Sequence, residues 1–230
     1  MSVTIRRAAV LGAGVMGAQI AAHLANAGVP VWLLDVTADA AAAGLKRATT
    51  LKPDPFFTPD TRALIRTGSL DDLSVLEDAD WIVEAIIEDL AVKRALLARV
   101  DAIRAPHAIV SSNTSGIPLA LIAEGRSDGF RQHWVGTHFF NPPRYLRLVE
   151  VIPTPDTAPT VVAGLSEWID HRLGKGVVLA KDTPAFIANH LGMFGVMRLL
   201  DVAGDVGGVQ ERWRQGLAQQ LACAVLAVEE

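Results

Sequence analysis

Cysteine is almost missing from this chain: Cys223 stands alone among 230 residues. A single thiol excludes an internal disulfide and a cysteine-based zinc site within one chain, and it fits a reducing compartment. Strong charge of either sign is missing as well, since 21 basic and 25 acidic residues leave a formal net charge of -4. That balance supplies neither the basic field that nucleic acid requires nor a charged disordered tail, so small-molecule chemistry is expected. Long hydrophobic runs are also lacking. The stretch LACAVLAV falls well short of the ~20 apolar residues of a membrane helix. Near the start, two arginines precede an apolar run, but Gly12, Gly14 and Gly17 interrupt it and VPVWLLD follows, so the segment reads as structure rather than as an export signal. A cytoplasmic protein with no metal, nucleic-acid or membrane partner is the expectation. No internal repeat occurs, and Ala40 to Ala43 is the one low-complexity tract.

What is present is apolar and periodic. Hydrophobic residues make up 50% of the chain, enough for one substantial core or a large domain with a small appendage. Runs resembling buried strands recur as AAVLG, VPVWLLD, ADWIVEAI, AIVSSN, WVGTHFF, LRLVEVI and GVVLAK. Helical stretches separate several of them. Gly14 to Ala27 has apolar residues at helical spacing, and Leu90 to Ile103 places Leu96, Leu97 and Val100 on one face with Lys93, Arg94 and Arg99 off it. Such alternation predicts an α/β fold, a Rossmann-like doubly wound, mostly parallel sheet covered on both faces, followed by a short helical C-terminal segment. LKPDPFFTPD and IPTPDTAPT each hold three prolines and read as loops, the first able to cover a ligand or to tuck Phe56 and Phe57 onto the core. In KDTPAFIAN, Thr183 is placed to cap and Pro184 to open a helix through Phe186, Ile187, Leu191, Phe194 and Met197. The main boundary is set there, with residues 1-183 as a dinucleotide domain and 184-230 as a helical substrate and dimerisation segment.

The chemistry begins at GAGVMG, which follows a strand and opens a helix. Gly12 permits the tight turn, Gly14 lets a pyrophosphate approach the backbone, and Gly17 allows the helix to pack closely. Asp35 closes the next strand, where a carboxylate accepts both ribose hydroxyls of NAD and repels the phosphate of NADP. Glu84 and Glu88 stand at a later strand end with Lys93 beyond them, and spacing alone does not separate a structural glutamate from one that contacts the cofactor. Ser112, Asn113, Thr114 and Ser115 follow another strand, the region where open α/β sheets bind ligands. Small polar residues in a turn usually satisfy backbone groups, yet this position moves Ser115 toward a hydroxyl-binding role.

His138 ends a strand, and Glu150 lies within the otherwise apolar LRLVEVI. A carboxylate among apolar neighbours needs a partner, and His138 would supply one, poised as a general base. The remaining histidines, His23, His107, His133, His171 and His190, carry no motif and read as structural.

These motifs, with GAGVMG, Asp35, EAIIEDLAVK, SSNTSG, THFFNP, LVEVI and KDTPAFIAN in order, resemble the 3-hydroxyacyl-CoA dehydrogenases, the NAD-dependent enzymes of fatty-acid β-oxidation, over about residues 5 to 200. The resemblance implies that His138 is the catalytic base and Glu150 its orienting carboxylate. It implies that Ser115 contacts substrate and cofactor, that Asn189 holds the reacting oxygen, and that Glu88, Lys93 and Asn141 touch NAD. The implied reaction is oxidation of an (S)-3-hydroxyacyl-CoA to a 3-ketoacyl-CoA, with an acyl-CoA thioester as partner. Lys46 and Lys52 are candidates for the CoA phosphates. Two residues depart from the pattern, Ala185 where glycine is usual and His190 where arginine is common.

Beyond Leu200 no family motif continues, and the resemblance implies a shortened C-terminal domain. Trp213, Leu217, Leu221 and Val225 recur at four-residue spacing as one apolar stripe, which points to a homo-oligomer formed through the C-terminal helices. An NAD-binding remnant without turnover is the alternative to an active dehydrogenase. A dehydrogenase of another small hydroxy acid would leave THFFNP and LVEVI unexplained.

Overall fold

The computed structural model describes residues 3–203. Its centre is one eight-stranded sheet. The strands are β1 (Ala8–Leu11), β2 (Val31–Asp35), β3 (Ile65–Ser69), β4 (Trp81–Glu84), β5 (Ile109–Ser112), β6 (Trp134–Phe139), β7 (Leu148–Pro153) and β8 (Gly176–Leu179). They lie in the order β3-β2-β1-β4-β5-β6-β7-β8, and β6 with β7 is the antiparallel pair in an otherwise parallel set. The helices are α1 (Val15–Asn26), α2 (Ala38–Ala48), α3 (Leu90–Ile103), α4 (Leu119–Ile122), α5 (Asp128–Gln132), α6 (Pro159–Leu173) and α7 (Ala188–Ala203). The doubly wound, mostly parallel architecture expected from the alternating runs is present.

Strand alternation divides the core into two layers. In β1, Ala8 and Val10 face one side and Ala9 and Leu11 the other. The first layer joins Ile20 and Leu24 of α1 to Leu165, Trp168 and Ile169 of α6, with Trp81 meeting Trp168 edge to face at 5.8 Å. The second joins Leu96, Leu97 and Val100 of α3 to Leu119 of α4, Phe130 of α5 and Trp134. Both faces of β1, β4, β5 and β6 are therefore dry, which is why their sequences read as continuous apolar runs, whereas β8 at the sheet edge reads as the same kind of run but is largely exposed.

Four local readings are corrected. β3 was not among the expected strands: only Ile65 of its five residues is buried, so the edge strand shows no apolar run. Lys93 does not lie off the apolar stripe of α3; it is 1% exposed and shares that stripe with Leu97 and Val100, at helical spacing. IPTPDTAPT is not loop throughout, because β7 runs to Pro153 and Pro159 opens α6, where its missing N–H costs nothing. The helix expected from Pro184 starts instead at Ala188, since Pro184 to Ile187 form a turn in which Ala185 (φ 63°) and Phe186 (φ 44°) take left-handed conformations.

Of the two aromatics in the proline-rich excursion, Phe56 is buried and Phe57 is exposed. Arg144 sits over the Phe57 ring at 4.7 Å and donates to the carbonyls of Asp54 and Phe56. The excursion is thus tied to the chain that follows β6. Among the described residues, no helix is long and apolar enough to cross a membrane. The apolar stripe at Trp213, Leu217, Leu221 and Val225, and the oligomer contact expected from it, lie outside the described residues.

Candidate active site and dinucleotide cleft

Strands β1, β2, β4, β5 and β6 run parallel, so Leu11, Asp35, Glu84, Ser112 and Phe139 all end at one edge of the sheet. Connections leave in opposite directions from β1 and β4, which opens a crevice at that edge. The glycine loop lines it. Gly12 has φ 102°, and a Cβ there would come within 2.5 Å of the Ala85 carbonyl oxygen. At Gly17 a Cβ would stand 1.9 Å from the Gly12 oxygen, so only glycine lets α1 start this close to the strand.

Gly14 is different, for nothing lies within 4 Å of the Cβ it lacks. It is the N-cap of α1 without a side-chain cap, so unpaired amides at a positive helix end face open space. A pyrophosphate fits that cradle. Asp35 stands beside it: one carboxylate oxygen accepts the Ala13 N–H at 2.7 Å and the other accepts that of Val36 at 2.7 Å. Each oxygen keeps a lone pair for a ribose hydroxyl. These residues fit NAD as bound ligand.

Glu84 and Glu88, inseparable by spacing, take different positions. Glu84 is fully buried; it accepts the Lys93 ammonium at 2.7 Å, the Ser112 hydroxyl at 2.5 Å and the Ile86 N–H at 2.8 Å. Glu88 is partly exposed and pairs with Lys93 at 3.2 Å, while the Thr114 hydroxyl and the Ser115 and Gly116 amides donate to it. Burial opposes ionisation of Glu88, but the Lys93 charge and the Thr114 and Ser115 hydrogen bonds outweigh it and hold the carboxyl below the usual carboxylate range. Lys93 thus sits beneath the crevice and holds both carboxylates, and Glu88 is the one that borders the open side. Asn141 is exposed, and its amide oxygen accepts from Gln19 of α1 at 3.0 Å. Gln19 carried no sequence signal.

The His138–Glu150 pair is built by register. His138 in β6 and Glu150 in β7 are direct partners across the antiparallel pair, so their side chains leave the sheet on the same face. His138 Nδ1 lies 2.8 Å from Glu150 Oε2, and both residues are buried. A carboxylate on Nδ1 keeps the proton on that nitrogen and leaves Nε2 free to accept one. The second oxygen, Glu150 Oε1, accepts the N–H groups of Ile187 at 3.1 Å and Ala188 at 2.8 Å.

Asn189 follows directly, and its side-chain amide donates toward the Ser115 carbonyl at 3.4 Å. The four residues expected to act together, His138, Glu150, Ser115 and Asn189, are therefore joined through the start of α7. Phe140 and Phe186 flank His138 with ring centroids at 4.6 and 5.6 Å. Neither aromatic was assigned to the site from the sequence: Phe140 was not named, and Phe186 was expected only on the apolar face of a helix. Lys46 and Lys52, the candidates for CoA phosphates, make no hydrogen bond in the structure that marks them for that role.

Comparison with known proteins agrees with this geometry. A family model described as 3-hydroxyacyl-CoA dehydrogenase, NAD binding domain, matches residues 7–183. A probable 3-hydroxyacyl-CoA dehydrogenase of Deinococcus radiodurans is 52% identical over 204 residues, covering 85% of this chain and 59% of that protein. The human mitochondrial hydroxyacyl-coenzyme A dehydrogenase is 39% identical, covering 82% of this chain and 63% of its own length. Among solved structures, FadB2 of M. tuberculosis superposes with a TM-score of 0.75 at 31% identity, over 94% of this chain and 79% of that one. The chain spans less than two thirds of the length of these two sequence relatives.

Proposed function

Since the chain belongs to the 3-hydroxyacyl-CoA dehydrogenase family and carries its NAD-binding domain, we propose that it oxidises (S)-3-hydroxyacyl-CoA thioesters to 3-ketoacyl-CoA in fatty-acid β-oxidation. The observation that carries this reading is the His138–Glu150 pair, facing across β6 and β7 at the edge of the dinucleotide crevice.

In this reading His138 Nε2 takes the proton of the C3 hydroxyl as the C3–H bond breaks and the C3–O bond gains its second component. Bound NAD+ supplies the acceptor for the hydride, so two electrons and one proton leave C3 together. The products are a ketone, NADH and an imidazolium that the Glu150 carboxylate stabilises. Asn189 and Ser115, at the first turn of α7 and the turn after β5, hold the reacting oxygen. Glu88 and Asn141 border the cofactor, while Lys93 acts on it through Glu88. Asp35 selects NAD over NADP by accepting ribose hydroxyls and repelling a phosphate.

The test is the reverse reaction, NADH oxidation driven by acetoacetyl-CoA. Turnover in the parent protein that falls about 10²- to 10⁴-fold in His138→Ala, with NADH binding kept, supports the assignment. NADH binding without any thioester-dependent turnover in the parent would sink it.

A further inference from the structure

The turn before α7 is costly, and that cost has a visible recipient. Ala185 at φ 63° and Phe186 at φ 44° are consecutive left-handed residues with a Cβ, an arrangement that is unfavourable and persists only where surroundings enforce it. Enforcement comes from both sides. Asp182 accepts the N–H groups of Leu119 and Ala120 at 2.7 and 2.9 Å, pinning the entry of the turn to α4. At the exit, Ile187 and Ala188 donate to Glu150 Oε1. Between these anchors Phe186 is 4% exposed, and its ring lies against His138.

A relaxed helical entry would not place a ring on His138 and two consecutive amides on Glu150 from the same four residues. We propose that Phe186 is a positioning residue for the base, its ring packing on His138 while the amides after it fix Glu150. This deepens the dehydrogenase reading and rests on it. With Phe186 in place, imidazole is packed by two rings and bonded to one partner, both residues of the pair are buried, and water does not reach the Nδ1–H···Oε2 bond. Removal of the ring opens a void beside that bond. Water then competes for Nδ1–H, and the imidazole turns out of line with the substrate hydroxyl.

Two readouts test this on the full chain, with Phe186→Ala and the bulk-retaining Phe186→Leu beside the parent. The first is kinetic: Phe186→Ala lowers kcat about 10- to 100-fold, leaves the KM for NAD+ within about twofold, and Phe186→Leu recovers part of the loss. The second is the Nδ1–H proton resonance of His138, identified by its disappearance in His138→Ala. It is protected in the parent and in Phe186→Leu and is lost to solvent exchange in Phe186→Ala. An undiminished Nδ1–H signal in a folded Phe186→Ala protein overturns the proposal, and so does an unchanged kcat. A parent that shows no turnover refutes the assigned reaction instead, and the resonance then decides the role of Phe186 alone.

Discussion

Lys93 Nζ lies 2.7 Å from Glu84 Oε1, with at most 1% of either side chain exposed. A charge pair this dry contributes little when whole, because both ions have lost their water, but half of it left alone is expensive. Lys93→Met therefore costs about 3–5 kcal/mol in unfolding free energy, read from urea denaturation. Glu84→Gln combined with Lys93→Met regains a large part of that loss, since the buried carboxylate is gone and Glu88, which also loses Lys93, is partly open to water. A single variant as stable as the parent would contradict the buried pairing.

Glu150 is bonded through both of its oxygens, to imidazole on one side and to the first amides of α7 on the other. Glu150→Gln keeps the shape but lets an NH₂ group face either Nδ1–H or those amides, so one contact becomes donor against donor. The kcat for NADH-linked reduction of acetoacetyl-CoA is expected to fall about 10²- to 10⁴-fold, by analogy with the loss of the carboxylate behind other catalytic histidines. The NADH dissociation constant stays the same, because the glycine loop and Asp35 are untouched.

His23, on the buried face of α1, has neither ring nitrogen in a well-formed hydrogen bond among the described residues, and the Leu173 backbone offsets only part of the cost of burying it. Burial, and after it the positive charge of Lys175, pushes its pKa down from 6.5 to about 4. Below 6.5 the unfolded chain takes up a proton that the folded chain refuses until about 4, so unfolding gains protons in that window. Stability is complete above the upper limit and is lost as pH falls toward the lower, by about 3 kcal/mol from this group. Urea midpoints measured between pH 7 and 4.5 show that slope, and His23→Leu flattens it. An equal slope in the variant would assign the acid sensitivity to another residue.

Ala185 is the place where glycine belongs on backbone grounds. Replacement by glycine removes about 1–2 kcal/mol of left-handed strain, but gives back about 0.4–1 kcal/mol through the freer unfolded chain. Ala185→Gly should therefore raise the melting temperature by about 2 °C at unchanged kcat. A lower melting temperature would mean that this turn does not hold Ala185 at its positive φ.

Gly17 tolerates nothing larger, since the Cβ of alanine would collide with a backbone oxygen that cannot rotate away. Gly17→Ala displaces α1 from β1 and with it the amides that face the pyrophosphate. NADH affinity drops at least tenfold in fluorescence titration, a loss of about 1.4 kcal/mol.

Where burial is the same on both faces of a strand, the sequence spells it out, and β1, β4 and β6 were legible for that reason. β3 was not, because an edge strand with one buried residue carries no apolar run. The glycine loop and Asp35 were readable since each position answers a backbone or ribose demand that few residue types meet. Lys93 looked like surface because lysine usually is; only the two carboxylates placed under it by β4 and the following turn reverse that expectation. The stretch from Pro184 to Ile187 has the apolar spacing of a helix, and its left-handed residues follow from contacts with Glu150 and His138 that no local pattern encodes. His138 and Glu150 were paired by the rule that buried charge needs company, without knowledge of which strands would adjoin.

Their adjacency has an evolutionary and engineering corollary. Side chains alternate across a sheet, so sliding β7 by one position along β6 would carry Glu150 to the opposite face from His138 with both residues still in place. The ladder from Val135 with Pro153 to Phe139 with Val149, and the buried faces of both strands, hold that alignment, so the pairing depends on register as well as on residue identity. Strand register thus carries functional information that no motif records: a chain whose β7 paired with β6 one residue out of step would keep each signature and lose the His138–Glu150 contact.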